Sequence, residues 1–244
     1  MLGRFHAHSA GGPWPQLASR RLQQIVAYLL LFRERPHHRD VLSSTLWAGS
    51  STKQSRKNLR QALWHVQRTQ GEGNVSPTSL LLIDRDWVQV DLSVVWLDVE
   101  QLESAFDRIR LKAPEEMTEA DAAAASGAVR LYRGDLLEGW DEAWCVQERD
   151  RLKGIYLSLL ERLVGYCEAT CRLDDGLAYG DLLLRHDRAH ERGHWRVMRL
   201  HHLAGNRTGA LRQFEICRTA LDEELGVGPG HLTRSLYEEI CTSG

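Results

Sequence analysis

What this sequence lacks narrows it first. Its longest apolar run, Ile25 to Phe32, is far shorter than the ~20 residues a bilayer-spanning helix needs, and no charged-then-apolar leader opens it. No membrane partner is expected, and the cytoplasm is the expected compartment. Cysteine is scarce: Cys145, Cys167, Cys171, Cys217 and Cys241 all fall in the second half, inside helical patterns, without a C-x-x-C. They read as buried reduced thiols; Cys167 and Cys171, one helical turn apart, read as core and not as metal ligands. There is no glycine-rich phosphate loop, no nucleophile elbow and no catalytic arrangement of carboxylates. The expectation is a protein without enzymatic activity, cofactor or bound metal.

One motif runs against it. His190-Glu191-Arg192-Gly193-His194 matches the H-E-x-x-H pattern, in which two imidazoles one turn apart bind zinc and the glutamate activates water. Its surroundings disfavour a zinc peptidase. Gly193 weakens the helix, no third ligand follows at a recognised spacing, and Arg188 and Arg192 would repel a cation. The preferred reading is coincidence.

The 244 residues suffice for two domains, and the formal net charge of −2 conceals an asymmetry between them. From Met1 to Asp91 there are 12 Lys and Arg against 6 Asp and Glu, a charge of +6, while the remainder carries 19 against 27, a charge of −8. Attraction to a polyanion depends on local charge, so only the first part should seek one.

That first part reads as a short strand over Leu2 to His8 with a turn at Ala10-Gly11-Gly12-Pro13, then three helices. The first runs from Ser19, its N-cap, to Phe32 and ends before Pro36. The second covers Arg39 to Trp47, with Val41, Leu42, Leu46 and Trp47 inward. The third starts at a Ser51 or Thr52 cap and runs to about Gln70, before Gly71-Glu72-Gly73-Asn74. In it Leu59, Ala62, Leu63 and Val66 share one face, while Arg56, Lys57, Arg60, Gln61, Trp64 and Arg68 project elsewhere. A helix anchored by one face and showing cations and amides on another is built as a DNA-reading helix is. Leu80 to Ile83 and the alternating Trp87 to Asp91, joined through Asp84-Arg85-Asp86, predict a hairpin. Three helices and a hairpin is the order of a winged helix-turn-helix, whose third helix enters the major groove.

From Asp98 the strand signals vanish. Helical patterns run Asp98–Ile109, Glu119–Tyr132, Ala143–Arg172, Gly176–His186, Glu191–Ala204, Thr208–Leu225 and Leu232–Ile240, with short connections. Leu177 and Leu211 start equivalent helices 34 residues apart, the tetratricopeptide period. Trp140 and Trp144, flanking Asp141-Glu142, are expected to fill the seam between the early helices and this array. The predicted fold is mainly α: an N-terminal winged helix-turn-helix (α+β) over residues 1–93, then an all-α tetratricopeptide-like helical repeat domain over 94–244.

An ordered set of segments carries a resemblance across nearly the whole chain. In the first part these are Ala27-Tyr28-Leu29-Leu30-Leu31, Arg39-Asp40-Val41-Leu42 with Leu46-Trp47, and Arg56-Lys57-Asn58-Leu59-Arg60-Gln61-Ala62-Leu63. In the second they are Leu131-Tyr132-Arg133-Gly134-Asp135-Leu136-Leu137 with Trp144, Glu148-Arg149-Asp150-Arg151-Leu152, Asp222-Glu223-Glu224-Leu225-Gly226-Val227 with Pro229, and Leu236-Tyr237-Glu238-Glu239-Ile240. In this order they resemble the SARP family of bacterial transcriptional activators, which join a response-regulator-type winged helix to a bacterial transcriptional activation domain of tetratricopeptide-like helices. Two departures bear on DNA affinity: Trp64-His65-Val66-Gln67-Arg68 holds fewer arginines than the family's reading helix usually does, and Leu2-Gly3-Arg4-Phe5 falls where the family's first strand is already under way. The resemblance implies that Arg56, Lys57, Arg60, Gln61 and Trp64 face the major groove, with Arg68 on phosphate and Arg85 on the flanking backbone or minor groove. It also implies double-stranded promoter DNA and RNA polymerase as partners, and self-association mainly on DNA at direct repeats. The alternative is an interaction scaffold whose winged helix has lost reading power.

Overall fold

The structure, a computed structural model, describes residues 1–9, 12–13, 17, 19–68 and 80–242, and of residues 9, 12, 13 and 68 it describes the backbone alone. The turn residues Ala10 and Gly11, the helix end at Gln70 and the segment Gly71-Glu72-Gly73-Asn74 lie outside the described residues, as does the side chain of Arg68. Two compact units form. One comprises Met1–Glu100 and Gly134–Glu148, the other Gln101–Arg133 and Arg149–Gly244.

In the first unit, β1 (His8–Ser9) pairs antiparallel with β2 (Gly12–Pro13). Helix α1 (Arg20–Leu31) buries Ile25, Val26, Leu29 and Leu30, as its i, i+1, i+4, i+5 spacing requires. Ser19 stands at its N-cap, but it caps through its carbonyl, which accepts from Leu22 and Gln23 N–H; its side chain makes no capping bond. The strand β3 (His37–His38) leads into α2 (Arg39–Leu46) and α3 (Thr52–Arg68), followed by β4 (Leu81–Ile83) and β5 (Trp87–Val90). The three strands form an antiparallel sheet in the order β3-β5-β4. Val88 and Val90 point from β5 into the core, where α1 packs against both β5 and α3. The winged helix-turn-helix is thus present, with a third strand too short to leave a periodic trace in the sequence.

Three local expectations change. Leu2 to His8 is not one strand: only Leu2 and Gly3 form bridges, both to Leu136, and His8 pairs elsewhere. The backbone of the first residues is satisfied by the turn at 135–138, where Gly3 N donates to Asp135 O and Glu138 N to Gly3 O, each at 3.0 Å. Val41 is not inward; it is 53% exposed, whereas Leu42, Leu46 and Trp47 are buried. Trp140 and Trp144 pack inside the first unit. Phe5 stacks on Trp140, the Arg20 guanidinium lies 4.2 Å over its ring, and Tyr28 meets Trp144 edge-on.

Helices α4 (Asp98–Ile109) and α6 (Ala143–Ala169) begin in the first unit and continue in the second. The second unit adds α5 (Glu119–Leu131), α7 (Leu173–His186), α8 (Glu191–Leu203), α9 (Arg207–Leu225) and α10 (His231–Thr242). Consecutive helices α7, α8 and α9 pack in sequence, and α10 closes against α8 and α9 over Met198, Ala210, Phe214, Leu236 and Ile240. Helices α7 and α9 begin 34 residues apart, which is the tetratricopeptide repeat length. Gly180 lets α7 approach α8, because a Cβ there would collide with Val197 Cγ2. The buried Asp121 carboxylate gathers Arg108 Nε at 2.6 Å, Lys112 Nζ at 2.7 Å and the Thr118 hydroxyl at 2.8 Å. Cys145, Cys167 and Cys217 are buried as expected; Cys171 and Cys241 are exposed, and all five are free thiols.

The H-E-x-x-H side chains are all engaged by the helix array. His190 caps α8, its Nδ1 accepting from Gly193 N at 3.0 Å. Glu191 Oε1 accepts from Gly230 N and from the Thr233 hydroxyl, tying α8 to the start of α10. His194 is buried; its Nε2–H donates to Arg188 O at 2.9 Å, which leaves Nδ1 to accept from the Gln213 amide at 2.6 Å. That pattern requires the neutral imidazole, and burial pushes its pKa down accordingly.

Candidate nucleic-acid interface

Helix α3 is fixed before it presents anything. Ser51 Oγ caps α3 by accepting from Gln54 N at 3.4 Å. The buried Ser55 hydroxyl is within hydrogen-bond distance of both Trp47 O and Ser51 O, locking the α2–α3 elbow. Leu59, Ala62, Leu63 and Val66 then bury one stripe of α3. At 100° per residue, the opposite side must carry Lys57, Gln61, Trp64 and the backbone position of Arg68. Lys57, Arg60, Gln61 and Trp64 are indeed exposed, Trp64 at 50%, with its ring edge against His65.

Arg56 departs from the expectation that it simply faces a groove. It lies on the flank of α3 toward α2 and makes a bidentate pair with Asp40, Nε–Oδ1 at 2.8 Å and Nη2–Oδ2 at 2.7 Å. The guanidinium holds the Asp40 carboxyl below its ordinary pKa, and the carboxylate raises that of Arg56. Two of its five N–H donors are thus committed within the protein. The helical projection also brings in residues that the sequence reading passed over. Lys53 and Gln54 are exposed and Asn58 partly so, on the same side of α3 as Lys57 and Gln61. Their signal was available in the angular position of each residue relative to Leu59.

The wing is positioned from the start of α2. Arg39 N donates to Asp86 O at 2.8 Å, and Arg39 Nη1 reaches Arg85 O at 3.4 Å. The hairpin turn closes where Asp84 N donates to Trp87 O. Arg85 is exposed at the tip, between Asp84 and Asp86, and its backbone N–H donates to Asp84 Oδ1 at 2.6 Å. Trp87 is 47% exposed beside Arg85, its ring perpendicular to that of His38.

The arrangement is a buried anchor stripe, an exposed cation-and-amide stripe and a hairpin tethered to the same helix pair. Among described residues no group of three or more His, Cys, Asp or Glu is placed to hold a metal, and no helix is long and apolar enough to cross a membrane.

Comparison with known proteins places the chain. By sequence it matches none of the curated proteins. By structure it is similar to Mycobacterium tuberculosis EmbR, solved in complex with a low affinity phosphopeptide: the TM-score is 0.82 at 19% identity, over 100% of this chain and 64% of that one. The likeness is one of fold, and the chain spans just under two thirds of that relative. A C-terminal TPR-containing domain of a Plasmodium falciparum FK506-binding protein aligns with 61% of this chain and 93% of its own, at 16% identity and a TM-score of 0.43. The family model of the bacterial transcriptional activator domain matches residues 97–241. With that domain preceded by a winged helix-turn-helix, the chain belongs to the bacterial transcriptional activator domain family and has the architecture of a SARP-type regulator.

Proposed function

We propose that this protein is a cytoplasmic, sequence-specific DNA-binding transcriptional regulator that acts as an activator without enzymatic activity. Helix α3 enters the major groove with Lys57, Arg60, Gln61 and Trp64, and the wing lays Arg85 on the flanking backbone. Arg68, whose side chain lies outside the described residues, is assigned to phosphate by the family resemblance. The helical domain supplies contacts to RNA polymerase. Copies bind direct repeats head to tail, an arrangement without two-fold symmetry that favours association on DNA.

The observation that carries the reading is the exposed stripe of α3, opposite the buried Leu59, Ala62, Leu63 and Val66 and beside a tethered wing. The test is binding to the DNA upstream of its own gene across a salt series, with scrambled duplex as competitor. Selective binding that weakens steeply with salt, and that Arg60→Ala reduces, is expected. Equal binding of both proteins to both duplexes would instead favour the interaction scaffold. One observation leans that way: Arg56, engaged by Asp40, is withdrawn from a stripe already modest in cations.

A further inference from the structure

The exposed side of α3 is chemically divided along its length. Lys53, Lys57, Arg60 and Trp64 lie on one flank; Gln54, Asn58, Gln61 and His65 lie on the other, at i, i+4, i+7 and i+11. On the second flank the Gln54 amide donates from Nε2 to Asn58 Oδ1 at 2.7 Å. That bond fixes two otherwise mobile side chains and leaves Gln54 Oε1 as an acceptor and Asn58 Nδ2 as a donor, one helical turn apart. The major-groove edge of adenine offers the complement, an N6–H donor beside an N7 acceptor.

We infer that the linked amides of Gln54 and Asn58 read an adenine, Gln54 accepting from N6–H and Asn58 donating to N7, while Lys53 and Lys57 on the opposite flank hold phosphates. The inference rests on the proposal that α3 reads DNA and adds the specificity-determining residues and the base they select. Neither residue contributes to the buried stripe, so replacing them leaves the fold intact.

The experiment has two stages. The wild-type protein first selects its site from randomised duplexes; each adenine of that site is then replaced singly by 7-deazaadenine, which removes N7 and leaves pairing unchanged. One such replacement is expected to weaken wild-type binding about tenfold, the lower part of the range for a bidentate base contact. The same replacement costs Asn58→Ala nothing further, and Gln54→Ala loses the preference for adenine at that position. Lys53→Ala binds more weakly to every duplex but keeps the penalty, as a phosphate contact must. If Gln54→Ala and Asn58→Ala select the wild-type site with the wild-type penalties, the assignment is overturned while α3 still reads DNA. If the wild-type protein selects no site, the DNA-reading proposal falls and this assignment with it.

Discussion

Two carboxylates show how differently the same group behaves at the surface and in the core. Asp40 is exposed and pairs with Arg56 across the α2–α3 elbow. Removing its charge frees a guanidinium at the edge of the reading surface. Asp40→Asn should bind DNA more tightly, with the log–log salt slope steeper by about 0.9 if Arg56 takes up one phosphate; titrations at four or five ionic strengths measure both. An unchanged slope would mean that Arg56 does not reach the backbone. Asp121, by contrast, is buried against Arg108, Lys112 and Thr118. The Lys112 ammonium, the Arg108 guanidinium and the Thr118 N–H and hydroxyl hold its carboxyl far below the ordinary carboxylate range. A depressed pKa contributes stability that is complete above the unfolded pKa of about 4 and is lost as pH falls below it. Asp121→Asn should therefore melt at a lower temperature than wild type at neutral pH, and the gap should narrow as the pH drops below about 4. A gap independent of pH would contradict that account.

At the scale of elements, the helices were largely legible because amphipathic periodicity is local information. Each of α1 to α10 falls where apolar spacing places it, within the few residues by which helix ends vary. What escaped was pairing at a distance. The strand β3 is two residues long and exists because β5 lies beside it; Leu2 and Gly3 find their partner at Leu136, far along the chain. The site divides in the same way. The outward positions of Lys57, Arg60, Gln61 and Trp64 follow from helix geometry, whereas the capture of Arg56 depends on where α2 places Asp40. The H-E-x-x-H match, disfavoured already by its sequence surroundings, is explained by Gln213, Gly230 and Thr233, which engage its side chains. Close helix approach gives a prediction at this scale. Val197 is stiff at Cβ and Gly180 faces its Cγ2, so Gly180→Ala should destabilise the second unit by about 1–3 kcal/mol. Val197→Ala in the same chain should recover part of that loss in denaturant melts. Independent, additive losses would show that the two residues do not meet.

For the molecule as a whole, the charge asymmetry along the sequence does not coincide with the compact units: Met1–Glu100 with Gly134–Glu148 carries 12 Lys and Arg against 13 Asp and Glu, because the acidic segment 134–148 joins it. That unit holds α3 and the hairpin of β4 and β5; Gln101–Arg133 with Arg149–Gly244 holds most of the helical array. Residues 134–148 are counted in the family match yet are compact with the winged helix, so the two compact units are not two consecutive stretches of sequence. The division of labour turns on whether α3 recognises sequence. The most direct test compares the wild-type protein with the quadruple variant Gln54→Ala, Asn58→Ala, Arg60→Ala, Gln61→Ala in competition between its upstream DNA and a scrambled duplex of the same composition. Wild type should prefer the upstream DNA by at least about a thousandfold, the low end of the range for specific recognition. The variant should melt at the same temperature and show almost no preference. A variant that keeps the wild-type preference would place sequence recognition outside α3 and contradict the account.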